Sequence, residues 1–316
     1  MSTRRHALPQ LAPRLFLTDG GIGTTLIFRE GVEIPHFATF TLLGQPGGRA
    51  LLERLFAEYA ELAVASAAGI IMDSVTWRAS ADWGRLLGYS DAALAQANRE
   101  AIELLAGIRA RYETPVTPVV ISACMGPRRA AYSRSAEMSA DEAFAYHRPQ
   151  VETLAATEAD LISAMTMNYP EEAIGIVEAA RHAGMPVVVS FTVETDGRLV
   201  SGMTLREAIE RTDAATARYP AYYMINCAHT SHFGESLQPD GDWLQRIRGL
   251  RSNASAKSHA ELDEAPTLDR GDPVALGRDY TALLARLPHV NIAGGCCGTD
   301  ASHARCIAEA CLPRFR

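Results

Sequence analysis

The sequence predicts a (β/α)8 TIM barrel, a single domain spanning residues 1–316, and three observations lead there. Short apolar runs alternate with segments of helical period along the whole chain. The runs number eight. No linker or shift in composition splits the chain, whose length suits one large α/β barrel. Parallel strands joined by helical crossovers account for this alternation; an open doubly wound sheet is the structural alternative.

The elements follow in order. Residues 15–18 are a short apolar run stopped by Asp19-Gly20-Gly21-Ile22-Gly23, read as strand one and its loop. Over 50–68, Leu51, Leu52, Leu55, Phe56, Tyr59, Leu62 and Ala63 recur at helical spacing, and Gly69 closes the helix. Ile70, Ile71, Met72 and Val75 make strand two. Ser90 caps a helix through Arg111, and 116–122 is a β-branched third strand bounded by prolines. Ser139 and Glu142 form a capping box opening a helix toward Glu158, in which Pro149 predicts a kink. Strand four covers 160–165, and Asn168 starts a helix ending near Gly184. Strand five is 187–191, and Thr204 with Glu207 caps the helix that runs to Tyr219. Strands six, seven and eight are expected at 222–226, 250–253 and 290–293, followed by helices at 242–248, 273–287 and 300–311. Residues 251–272, rich in Ser, Ala, Asp and Glu, read as a long loop.

Composition excludes several functions. A net charge of -7 leaves no basic surplus to displace counterions, so nucleic acid is not an expected partner. No apolar stretch of about 18 residues exists to cross a membrane, and the polar residues 1–14 lack the apolar centre of a secretory signal. Six cysteines are too sparse for a disulfide scaffold. The expectation is a cytoplasmic enzyme with reduced thiols, acting on small molecules; the oligomeric state stays open.

In such a barrel the residues just after each strand form the active site. Here they include Asp19-Gly20-Gly21, the 76–80 stretch Thr-Trp-Arg-Ala-Ser, Cys124, Thr166 with Asn168, Glu194, Asn226-Cys227, Asn253 and Cys296-Cys297. Adjacent side chains diverge and cannot fill one hole together, so Cys296-Cys297 between glycines is a poor packing unit. On a glycine-bracketed turn both sulfurs can aim at one point, and Cys227 after strand six is near enough around the ring to join them. Three thiolates with one open position suit catalytic zinc. Such a centre carries a formal charge of about -1 and activates water poorly, but holds an incoming thiol as a nucleophilic thiolate. Cys306 and Cys311 read as buried free thiols, and so does Cys124. His229 and His232 are spare if three cysteines fill the protein positions, and His303 reads as a surface or supporting residue.

Asp19-Gly20-Gly21, Asn226-Cys227 and the 294–299 run Gly-Gly-Cys-Cys-Gly-Thr resemble the motifs of the zinc-dependent homocysteine S-methyltransferase family. That family includes betaine and S-methylmethionine enzymes and the homocysteine domain of cobalamin-dependent methionine synthase. The resemblance runs from about residue 15 to 310, and the 76–80 stretch resembles the family's hydroxyl-aromatic-X-Ala-hydroxyl segment. It implies a (β/α)8 barrel with Zn2+ on Cys227, Cys296 and Cys297, methyl transfer from an onium or folate donor to homocysteine sulfur, and a role in methionine biosynthesis. Asp19 and Gly20 would lie in the homocysteine pocket, Asn226 would orient the Cys227 loop, and Thr76 would reach substrate. The absence of a long arm after the last helix favours the shorter S-methylmethionine type over the betaine type.

The chain departs from the family at one position. Where the family carries Glu before Thr after strand four, to meet the homocysteine amino group, this chain has Met165-Thr166. A thioether cannot pair with an ammonium, so Glu194, or else Asp73, is the expected replacement, or the acceptor is a related thiol such as a selenohomocysteine- or selenocysteine-type compound. The other open readings are a hydrolase or lyase on the same metal, favoured if His229 replaces one cysteine as ligand; a non-catalytic thiol-binding homologue; and redox cycling among the three cysteines. The positive centre of an onium donor calls for an aromatic wall, for which Phe37, Phe40, Trp77 and Tyr132 are available.

Overall fold

Eight parallel strands close in sequence order into a barrel: β1 (Phe16–Thr18), β2 (Gly69–Asp73), β3 (Val119–Met125), β4 (Leu161–Met167), β5 (Val187–Phe191), β6 (Tyr223–Asn226), β7 (Ile247–Ser252) and β8 (Ile292–Gly295). Pairing of β1 with β8, Phe16 beside Ile292 and Leu17 beside Ala293, shuts the ring. The computed structural model describes residues 2–132, 137–237 and 241–315. The (β/α)8 expectation holds, and the open-sheet alternative is excluded by the closure.

The interior is divided by height. At the floor, Phe16, Ile71, Val120, Leu161, Val188, Met224 and Ile292, one from each strand but β7, pack into an apolar plug. β7 contributes Gly249 instead, where a Cβ would lie 2.6 Å from Met224 Cε. Leu8 from the N-terminal segment joins the plug from below. The amide nitrogen of Asn291 ties that segment in place, 3.0, 3.0 and 2.8 Å from the carbonyl oxygens of Gln10, Ala12 and Arg14. Above the plug the wall turns polar: the Ser122 hydroxyl donates to Ser163 Oγ at 2.8 Å, and Ser163 donates to Asp73 Oδ1 at 3.1 Å. The larger hydrophobic core lies outside the barrel, between its strands and the surrounding helices. A dry floor stabilises closure and leaves the strand ends free to carry polar chemistry.

Local expectations fare unevenly. The capping boxes at Ser139/Glu142 and Thr204/Glu207 are both formed. The helix Ala140–Ala155 continues through Pro149. Asn168 is not a cap: Tyr169 takes that position with Pro170 following, and the Asn168 amide donates to the Ala131 carbonyl at 2.9 Å. Strand seven starts earlier than expected, at Ile247, directly after a 3-10 turn (Asp242–Arg246); the crossover helix before it is Thr230–Phe233. Arg248 and Arg251 interrupt the apolar pattern of β7, which hid its true extent. The loop after β7 contains a short helix, His259–Asp263, opened by a third capping box from Ser258 and Glu261. Among the described residues no helix is long and apolar enough to cross a membrane.

Candidate active site

Three sulfur atoms converge above the barrel. Cys227 follows β6 and Cys296-Cys297 follow β8, and their Sγ atoms all lie within 4.8 Å of one another. Cys227 Sγ is 3.1 Å from Cys296 Sγ and 3.4 Å from Cys297 Sγ. Tetrahedral zinc with Zn–S bonds of about 2.3 Å separates its sulfurs by about 3.8 Å, so small rotations of these side chains fit the ion. All three cysteines are unpaired by disulfides. The donor set is soft and thiolate-rich, as zinc or Cu(I) requires.

The backbone is bent to produce this convergence. Cys227 has φ 58° and Thr166, at the end of β4, has φ 64°, both in the left-handed region that side chains other than Gly, Asn and Asp rarely enter. Asn226 holds the Thr166 turn. Its Oδ1 accepts from Thr166 N at 2.9 Å and from Ser190 Oγ at 2.7 Å, while its Nδ2 donates to Thr166 Oγ1 at 2.8 Å. Cys227 is pinned from the other side. Its N–H donates to the Arg251 carbonyl at 3.1 Å, and its carbonyl accepts from Asn253 Nδ2 at 3.0 Å and lies 2.5 Å from His259 Nε2. The β1 loop supports the cysteine pair by close approach. Gly21 N–H donates to the Thr299 carbonyl at 3.0 Å, and a Cβ on Gly21 would come within 2.7 Å of the Cys296 carbonyl oxygen, which explains the second glycine after Asp19.

The sulfurs open into a cavity of about 140 Å3. Its wall carries one charge cluster that the sequence did not reveal. Arg251, at the end of β7, reaches across the barrel between two carboxylates. It forms an ion pair with Asp73 through Nη1, donates from Nη2 to Asp19 Oδ1 at 2.6 Å and from Nε to the Gly295 carbonyl at 3.3 Å. Burial pushes the Asp19 carboxyl up to about 6 against the pull of Arg251, and the nearby Cys296 sulfur raises it further. Among the thiols, Cys296 is held well below its ordinary value by hydrogen bonds from Cys227 and Cys297. Cys227 and Cys297 are pushed up by the same sharing.

Most of the expected site residues meet here. Asp19, Gly20, Asn226, Cys227, Cys296 and Cys297 all line the cavity. Thr76 does not: it is fully buried, donating to the Cys124 carbonyl at 2.6 Å and contacting Ser74 Oγ. Glu194 does not either. It pairs with His259 Nδ1 at 3.0 Å and so braces the histidine that touches the Cys227 carbonyl. Asp73 lines the cavity but is already engaged by Arg251. Met165 is there, 4 % exposed, with its thioether where the family's carboxylate was expected. His229 caps its own helix and His232 meets the Ala256 carbonyl at 2.9 Å, away from the sulfurs. His303, expected at the surface or in a supporting place, is fully buried between Asp300 and the Arg270 carbonyl, because the last helix turns it inward. Cys124 and Cys311 are buried thiols as expected, and Cys306 is half-buried.

A second chamber of about 440 Å3 adjoins the first, sharing Phe37, Trp77, Arg78, Tyr132 and two of the cysteines with it. Phe37 meets Trp77 edge-on at 6.3 Å, and Tyr132 stacks on His259 at 4.0 Å with its hydroxyl 2.9 Å from Cys227 Sγ. Phe40 is buried in a separate cluster and takes no part. The arrangement can hold a soft metal at the base of an aromatic-walled passage, with one thiol-sized position open to it.

Comparison with known proteins agrees with this geometry. The chain resembles crystal structures of the homocysteine methyltransferase MmuM from Escherichia coli. The oxidized form superposes with TM-score 0.75 at 19% identity, covering 96% of this chain and 98% of that one. The metallated form gives 0.71 at 18%, covering 94% and 96%, and the apo form 0.65 at 20%, covering 96% and 98%. No protein of curated function matches the sequence. The homocysteine S-methyltransferase family profile matches residues 16–311, nearly the whole chain; the chain belongs to that family.

Proposed function

We propose that this enzyme transfers a methyl group from an onium donor, S-methylmethionine, betaine or a similar compound, to the sulfur of homocysteine, giving methionine. The observation that carries this reading is the convergence of Cys227, Cys296 and Cys297 on the floor of a cavity that also holds Asp19. These three residues would hold zinc, which when bound supplies a Lewis-acid site that keeps the acceptor sulfur deprotonated and nucleophilic at neutral pH. The chain's own contribution is position. Asn226 and the bent backbone at Thr166 and Cys227 fix where the sulfurs point, so the acceptor sulfur enters along a line set by the protein. Phe37, Trp77 and Tyr132 line both chambers, where a positive onium finds aromatic faces. Such chemistry belongs with methionine biosynthesis in the cytoplasm, where thiols stay reduced.

A second reading has one observation in its favour. Met165 offers no partner to an ammonium, and both cavity carboxylates already face Arg251. A related thiol acceptor, or a selenium analogue, that does not rely on an amino-group anchor suits that wall. The deciding experiment is metal analysis of Cys227→Ser and Cys297→Ser together with methyl-transfer assays on homocysteine and other thiols against a panel of donors. Each variant should lose stoichiometric zinc and turnover. Full zinc retention by both variants would sink the site. Loss of zinc in the variants, with no transfer by the zinc-loaded parent under any donor–acceptor combination, would leave a binding protein.

A further inference from the structure

Among the described residues two arginines are buried, and both reach the cavity, but their surroundings are opposite. Arg251 is compensated by two carboxylates. Arg78, 8 % exposed at the junction of the two chambers, has no carboxylate within 4.0 Å among the described residues. Its guanidinium is clamped between indole rings, 4.1 Å from the centroid of Trp77 and 4.0 Å from that of Trp83. One nitrogen, Nη1, donates to the carbonyls of Arg129 at 2.9 Å and Pro127 at 3.4 Å. The opposite edge is unused. Nε is buried without a partner, and so is the Nε1 of Trp83 beside it.

We propose that Arg78 anchors the carboxylate of a substrate in this cavity. The proposal rests on the reading of the cavity as the methyl-transfer site, and it names what that site recognises: a substrate that carries a carboxylate as well as its reacting sulfur or onium centre. A buried cation without a counterion is costly, and a planar guanidinium with a free Nε–Nη2 edge matches a carboxylate with two parallel hydrogen bonds. The nearest acid that influences it, Glu172, is already committed to the Arg128 N–H at 2.7 Å and His147 Nε2 at 2.9 Å. Burial accordingly draws the Arg78 guanidinium down to about 10, still charged at neutral pH. The two indoles hold the fork in one plane, so the direction of approach is set before the ligand arrives. Both donors and acceptors of methyl groups can bear a carboxylate, and Arg78 borders both chambers, so the experiment must separate them.

The test is direct binding to the zinc-loaded protein, read by calorimetry and by the fluorescence of the tryptophans against Arg78. Probes come as matched pairs: homocysteine and its decarboxylated counterpart, S-methylmethionine and its decarboxylated counterpart, and glycine betaine with tetramethylammonium. The parent should bind the carboxylate-bearing member of at least one pair about 10- to 100-fold more tightly, the strength of a charge-assisted pair. Arg78→Gln should abolish that preference and Arg78→Lys should restore part of it. A preference confined to the homocysteine pair assigns the carboxylate to the acceptor; one confined to the onium pairs assigns it to the donor. No preference in any pair by the parent, whether or not the variants fold, or a preference that survives Arg78→Gln, overturns the proposal. Methyl transfer is measured separately. Its absence beside an Arg78-dependent preference would remove the methyltransferase reading and leave the anchor standing.

Discussion

Asn226→Ala should damage both stability and the metal site, by an amount the hydrogen bonds set. The side chain is buried and makes three short bonds, two to Thr166 and one to Ser190, with a longer contact of 4.0 Å from Nδ2 to Cys296 Sγ. Its removal strands the Thr166 N–H and the Ser190 hydroxyl in a dry wall. Each unsatisfied group costs about 1–3 kcal/mol, so the variant should lose about 2–6 kcal/mol. Relaxation of the left-handed Thr166 backbone returns part of that, since such strain stores about 1–3 kcal/mol. Against a total stability of about 5–15 kcal/mol for a typical domain the loss is large but survivable. Zinc affinity should fall about 10- to 100-fold, because Cys227 follows directly in the chain. Urea unfolding of the metal-free protein and competition for zinc with a chelator measure the two effects. A loss under about 1 kcal/mol, or an unchanged zinc affinity, would mean that the Cys227 turn is held by its Arg251, Asn253 and His259 contacts without help from Asn226.

Three further outcomes follow from the cavity wall. Met165→Glu should lower the KM for homocysteine about tenfold, since it restores a carboxylate facing the acceptor; an unchanged KM would show that the ammonium is already accommodated. Arg251→Met leaves Asp19 and Asp73 without their shared cation, and thermal unfolding at pH 7 should show a loss of about 3–5 kcal/mol. The loss should shrink at pH 5, where the Asp19 carboxyl takes up its proton; an equal loss at both pH values would contradict the charge argument. Asp19 itself binds its proton up to about pH 6 when folded but only to about 3.8 when unfolded. Its contribution is therefore fully present below about pH 4 and fades as pH rises through 6. The difference in unfolding free energy between the parent and Asp19→Asn should fall by roughly 2 kcal/mol between pH 4 and pH 7, and a flat difference would place the Asp19 titration elsewhere.

The barrel was readable because its strands are apolar on both faces and its helices carry clear periodicity, so alternation survives without any alignment. The sulfur site was readable for a different reason: adjacent cysteines between glycines have little use except to point at a common partner. What the sequence hides is direction. Glu194 and Thr76 do follow strands five and two, but one turns outward to His259 and the other folds back onto the Cys124 carbonyl. Position after a strand does not say which way a side chain faces. Arg251 was concealed inside a strand that its own charge made hard to recognise, although a cation in a run otherwise buried is itself a signal. Arg78 sat within the 76–80 stretch, but its lack of a partner exists only in three dimensions. Met165 was conspicuous only against the family pattern; a methionine in a buried strand is otherwise unremarked core.

The floor of the barrel has a consequence for how the protein is made. Leu8 enters a plug to which the last strand contributes Ile292, and the bond from Asn291 to Gln10 spans 281 positions in sequence. Contacts this distant form late, because the loop they close is nearly the whole chain. On a ribosome the first segment is synthesised early but has nothing to dock against until the eighth strand emerges. Until then the nascent barrel has two open edges and an uncovered apolar base, the state in which strand-edge pairing with another chain is most dangerous. Chaperone dependence in the cell should accordingly be governed by the interval between synthesis of the first strand and release of the last.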